Sequence, residues 1–325
     1  MNRKSIGLLL ISILLVVGII WTLFADSRLR GNDKEKKPET TQKMMTESID
    51  PFLPPELKRP VGISWNNFKM DEITATERVT TTVKEWGQEE VNRVVLALGE
   101  KINSIGQSGS WTTFGSEKRG GFIDRLNNLI EWQKRIDDRE EIPKGKLLSQ
   151  NEIGKKITDL TEKIGGEKVT LIFKPIKYVK VLYPRWIECP MSEADMVVVG
   201  ADMEIEGKKI TNFYGEMVTA VISKGGEIIK LTLRLPPKIK IGNEVISFKT
   251  TEEIKKGRIN NFGIRETDTK VMAETDDIRV NAVTGELVYI YEAKSNWVKP
   301  FLAIEGNTFA EGAPLRVSML YSAAK

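Results

Sequence analysis

The chain has no histidine in 325 residues, and its single cysteine is Cys189. The first absence removes Ser-His and Cys-His nucleophile pairs, histidine-bearing zinc sites and imidazole acid–base catalysis together. The second excludes an internal disulfide, a tetrathiolate zinc site and an iron–sulfur cluster within one chain. No G-x-x-x-x-G-K-[ST] loop occurs, and the glycines of GSEKRGG (115–121) lack its spacing and read as a turn. No cofactor motif is present, so no cofactor is expected. An excess of one charge is missing too: Lys and Arg number 49 against 45 Asp and Glu. Without a basic stripe, nucleic-acid binding has no electrostatic basis.

Carboxylates are therefore the remaining catalytic or calcium-binding candidates. The densest groups are Asp137-Asp138 with Glu140-Glu141, and Asp276-Asp277 with Glu274. Neither follows the D-x-D-x-D-G loop that wraps calcium, so no metal site is expected and both read as solvated turns. A glycosidase-like carboxylate pair stays open, because its partners meet in space and not in sequence. Cys189 lies in YPRWIECP and reads as a small packed hydrophobe. Arg185 and Trp186 in that stretch, with Trp297 in SNWVKP, are candidates for an interaction surface, since aromatics and arginines anchor interfaces.

What is present begins with an apolar run, Ile6 to Ala25, that carries no charge over twenty residues. At about 1.5 Å per residue it spans roughly 30 Å, the thickness of a bilayer core. Its length, and Leu23 where a cleavage site needs a small residue, favour a retained membrane anchor over a cleaved signal peptide. Ile6, Leu8, Leu15, Ile20 and Ala25 would face lipid, and Trp21 would sit at the interface. Positive charge is denser after the run (Arg28, Arg30, Lys34, Lys36, Lys37) than before it (Arg3, Lys4). Counted strictly, that opposes export of the C-terminal part. Large domains nevertheless cross with little regard to charge, so the expected location is a single-pass membrane protein with its large C-terminal domain outside the cytoplasm.

Residues 1–5 form a short tail, 6–25 the transmembrane helix, and 26–60 a polar, proline-bearing tether. Three units follow, over 61–145, 146–240 and 241–325. The first holds a helix whose Val91, Val94, Val95 and Leu98 share a face, then the hairpin FIDRLNNLIEW turning at Asn127-Asn128. The second opens on a helix with Ser149 and Glu152 at capping-box spacing, Ile153, Ile157, Leu160 and Ile164 on one face, and Gly165-Gly166 as its stop. Strands come next, with a hairpin at Gly225-Gly226. The third repeats the theme with Thr250 and Glu253, a helix of about two turns, and a hairpin in which RVNAV and ELVYIYE pair around Thr284-Gly285. The expected fold class is α+β: an N-terminal transmembrane helix followed by antiparallel-sheet modules, each packed with a helix.

VTGELVYIYEA, SKGGEIIKL and the short helix TTEEIKKG resemble PepSY-like modules, and the layout of anchor, tether and consecutive modules resembles the membrane-anchored YycH/YycI-type regulators. The resemblance covers residues 78–325. It implies a non-enzymatic extracytoplasmic domain that modulates a membrane or envelope partner, and it carries over no catalytic residue. The expected partners are thus the lipid bilayer through 6–25 and a membrane or envelope protein. A structural envelope or secretion-apparatus component, and a carboxylate-dependent envelope hydrolase, are the other readings.

Overall fold

A computed structural model describes residues 53–54, 56–73, 75–81, 85–136, 141–182, 185–235, 239–267, 278–293, 297–310, 313–322 and 324. They belong to one unit, Glu47–Lys325. In chain order its elements are β1 (Gly62–Ser64), β2 (Ala75–Thr81), α1 (Gln88–Ala97), β3 (Gly106–Ser108), β4 (Trp111–Gly115), β5 (Arg119–Asp124), β6 (Leu129–Lys134) and α2 (Gln150–Gly165). Next come β7 (Thr170–Phe173), β8 (Lys177–Leu182), β9 (Arg185–Glu188), β10 (Met196–Ile205), β11 (Lys208–Thr211), β12 (Val218–Ser223), β13 (Ile228–Arg234) and β14 (Ile239–Ser247). The last are α3 (Thr251–Lys255), β15 (Phe262–Thr267), β16 (Arg279–Glu292), β17 (Trp297–Ala310) and β18 (Ala313–Tyr321).

The architecture is predominantly β, which corrects the α+β expectation of separate helix-covered modules. Among the described residues sixteen strands join one mixed sheet in the order β15-β18-β17-β16-β11-β10-β12-β13-β6-β5-β4-β3, with β1 on β16, β7 and β8 on β10, and β9 on β8. The reason is edge pairing. Each hairpin series would end in unpaired backbone donors and acceptors, and these are satisfied by the neighbouring series instead. Thus β13 pairs with β6 (Leu231 opposite Trp132), and β11 runs parallel to β16 (Ile210 opposite Tyr289). A second, two-stranded sheet joins β2 to β14, again from distant stretches.

The helices form where their local signals lie. In α2 the Ser149 hydroxyl accepts from the Glu152 N–H while the Glu152 carboxylate accepts from the Ser149 N–H, and Gly166 closes the helix at φ 79°. Ile153, Ile157 and Ile164 are buried, Leu160 is half-buried, and Thr161 takes a buried place on the same face. In α3 Thr250 and Glu253 repeat the capping box. Helices α1 and α2 do not cover separate sheets. They lie side by side on one face, where Arg93 Nε donates to the Ile164 carbonyl at 3.2 Å, and Val91, Val94 and Val95 join the α2 isoleucines over Ile123, Ile130, Val197 and Leu231. Each such fully buried side chain contributes about 1.5–3 kcal/mol.

The hairpin expected around Thr284-Gly285 is absent: β16 runs unbroken from Arg279 to Glu292. The register against β17 slips by one residue between Ala282 and Thr284, so the step is a bulge and not a turn. Gly285 serves a different need. A Cβ there would stand 2.9 Å from Phe68 and 3.1 Å from the Met70 sulfur, and its N–H donates to the Lys69 carbonyl at 3.2 Å. The segment Phe68–Met70 therefore lies directly on the strand.

The transmembrane helix and the single-pass membrane location are also corrected. Among the described residues no helix is long and apolar enough to cross a membrane. The longest, α2, carries Glu152, Lys155, Lys156, Asp159, Glu162 and Lys163 and buries one face only. The run Ile6 to Ala25, with Leu8, Leu15, Ile20 and Trp21, lies outside the described residues, as does the tether up to 52. Leu53 and Leu57, at the end of the stretch read as tether, are buried against Phe213, Phe301 and Leu320.

Candidate functional site

Strand β10 is central, and its alternation separates two environments. Val197, Val199, Ala201 and Met203 face the helices, all at most 1% exposed. Val198, Gly200 and Asp202 point the other way, into a cleft of about 730 Å³. Along one edge β10 pairs with β12 and then β11; along the other it pairs with β8 and then β7. Lys174–Ile176, with Pro175 at its centre, separates β7 from β8 along the β10 edge and contributes to the cleft wall.

The opposite wall comes from the far end of the sheet, which curls over. Between Ile264 and Glu266 the β15–β18 register slips, leaving Arg265 as the bulged residue. Its side chain turns inward, where Nη1 donates to Thr211 Oγ1 on β11 at 2.8 Å and Nη2 reaches Ser318 Oγ on β18 at 3.4 Å. Next to this bridge Val288, Ile290, Phe301, Ala303 and Leu320 pack with Phe213 as an apolar plug. The cleft is thus the polar mouth of a curled sheet whose other end is filled, a setting in which ligand sites recur.

Most of the charge in the cleft is paired. Lys174 Nζ lies 3.0 Å from Glu216, and Arg316 Nε lies 3.3 Å from Glu305. Lys209 is shared: its ammonium donates to Glu286 and stands 3.8 Å from Asp202 Oδ2. Asp202 is 1% exposed, and its Oδ1 has no hydrogen-bond partner among the described residues. A buried carboxylate oxygen left in that state is costly. Among the described residues no three His, Cys, Asp or Glu side chains gather to hold a metal ion.

The residues singled out from sequence lie elsewhere. Arg185 and Trp186 sit on β9 with both side chains exposed, Trp186 at 44%, and they are not among the residues lining the cleft; Glu188 of the same strand is. Trp297 opens β17, a strand that does not adjoin β9, and its side chain lies outside the described residues. Cys189 is half-buried beside β8, its N–H donating to the Tyr178 carbonyl at 3.0 Å. Of the acidic groups, 137–140 and 274–277 lie outside the described residues, and Glu141 is exposed and away from the cleft lining. Asp202, Lys209, Arg265, Glu286 and Glu305 escaped sequence reasoning. The one available signal was an aspartate within the apolar run MVVVGADM of this strand.

Comparison with protein-family models finds none that matches the chain, and no curated protein is significantly similar to it in sequence.

Proposed function

We propose that the protein is a non-catalytic binding and regulatory module that takes an extended polypeptide segment of a partner into this cleft. The observation that carries the reading is strand β7. Among the described strands it pairs with β10 alone, and the Lys174 N–H bond to the Gly200 carbonyl (2.9 Å) sets its phase. Leu171 and Phe173 therefore direct their backbone N–H and C=O groups to the open edge. An open strand edge beside a cleft lined by Ile172, Ile176 and Leu315 suits β-strand addition, in which the backbone supplies affinity and pockets supply specificity. Carboxylates engaged by cations fit recognition of charge better than proton transfer. The regulatory part of the reading rests on the resemblance carried by SKGGEIIKL and TTEEIKKG.

The test is selection of displayed random dodecapeptides on the full-length protein, followed by anisotropy measurements with the enriched peptides. Phe173→Pro removes an edge donor, whereas Phe173→Ala removes only the side chain. Affinity lost at least tenfold in the first variant and largely kept in the second supports strand addition. Equal effects, or no enrichment, overturn it. Turnover of glycan, peptide or ester substrates that disappears in Asp202→Asn would establish the hydrolase reading in its place.

A further inference from the structure

We infer that the segment bound in the cleft is basic, and that a lysine or arginine side chain seats beside Asp202 and Glu286. This rests on the polypeptide-binding reading and adds the chemistry of the ligand. Two independent observations converge on the same place. The first is the charge count around Lys209. Glu216 and Glu305 each have a cation, Lys174 and Arg316, whereas Asp202 and Glu286 share the single Lys209 ammonium. Asp202 and Glu286 thus compete for one ammonium, within a lining that as a whole carries five cations (Lys174, Lys177, Lys209, Arg265, Arg316) and five carboxylates (Glu188, Asp202, Glu216, Glu286, Glu305).

The second is the state of Asp202 itself. Strand alternation points it to the cleft face with Val198 and Gly200, its side chain is 2% exposed, and Oδ1 has no hydrogen-bond partner among the described residues. Buried carboxylate oxygens are held by donors in native structures, so a site with one unfilled lone-pair direction is built for a donor that arrives with the ligand. An ammonium or guanidinium supplies that donor, and a second cation for the Asp202–Glu286 pair, through charge-assisted bonds. The half-exposed Glu286 lies at the outer end of the same group and would meet the cation first, with Lys209 shifting to admit it.

The shared chemistry is a cationic amine, whose source is a polypeptide side chain or a free polyamine. The experiment uses fluorescein-labelled hexalysine, its hexaglutamine counterpart and spermidine with the full-length protein at low and physiological salt. Hexalysine is expected to bind and hexaglutamine not to bind. Asp202→Asn should weaken hexalysine at least tenfold, Glu286→Gln several-fold, and Glu244→Gln, whose carboxylate pairs with Arg78 outside the cleft, not at all. Melting curves show whether Asp202→Asn is folded; should it not be, Glu286→Gln, on an exposed side chain, decides. No hexalysine binding, or equal losses in Glu286→Gln and Glu244→Gln, overturns the cation site. Spermidine competing as tightly as hexalysine overturns the polypeptide source. Enriched dodecapeptides without Lys or Arg that still depend on the Phe173 N–H would leave strand addition standing and remove only the basic-segment inference.

Discussion

Arg265 of β15 donates to Thr211 of β11 at 2.8 Å, although β18, β17 and β16 stand between these strands in the sheet order. In a flat sheet four spacings would place β15 and β11 about 19 Å apart. The contact therefore measures the curl of the sheet, and the bulge between Ile264 and Glu266 is what aims Arg265 across it. Arg265→Met keeps much of the stem and removes the bridge. It should lower unfolding free energy by about 2–3 kcal/mol, as for loss of hydrogen bonds to a charged group. Urea titration checks the value, and a loss below about 0.5 kcal/mol would mean that the apolar plug alone holds the curl.

Ile157, 1% exposed under α2, should tolerate no charge. Ile157→Asp is expected to cost several kcal/mol, whereas the same change at half-buried Leu160 should cost distinctly less. Thermal melts of the two variants rank them, and equal losses would contradict the observed burial.

The α2 capping box carries a pH signature. The Ser149 hydroxyl, and after it the Ser149 backbone N–H, donate to the Glu152 carboxylate and hold it below its ordinary range. A depressed carboxylate contributes stability above its unfolded value and loses it as pH falls through the folded one. Ser149→Ala should thus lower the melting temperature by about 2–4 °C at neutral pH, with the gap narrowing in acid below the usual glutamate range. A gap independent of pH would show that Glu152 takes no part.

Tyr291 titrates at the other end of the scale. Burial pushes its hydroxyl up to about 12, against the Asn128 hydrogen bond, which favours ionisation, and with a smaller upward push from Glu292. With the folded value raised, its contribution is complete below the unfolded tyrosine value near 10 and is lost as pH rises toward about 12. Absorbance titration at 295 nm should show a late-titrating component that is diminished in Tyr291→Phe, with Tyr214, also raised by burial, left in place. A titration curve unchanged by the substitution would reject the assignment.

Local features were legible from the residues alone because their causes are local. The capping boxes at Ser149 and Thr250 need only a side chain within three residues of its partner N–H. The hairpin at Gly225-Gly226 needs two residues that accept positive φ, 79° and 82° here, and Asn128 at φ 48° serves the β5–β6 turn. The same logic failed at Thr284-Gly285, where glycine answers the close approach of Phe68 and Met70 from more than two hundred positions away.

Periodicity and turn chemistry by themselves determined the helices, their buried faces and most strand segments, together with the exclusion of histidine and multi-cysteine chemistry. Only the tertiary structure decided which strand edges meet, and hence that three apparent modules share one curled sheet. An edge backbone group bonds as well to one strand as to another, so pairing is chosen by what both faces bury over the whole sheet. The cleft is a product of that choice. Asp202, Lys209, Glu286, Glu305 and Arg265 come from five strands spread over about a hundred positions, and what gathers them is the inward aim of a bulged arginine and the alternation of β10.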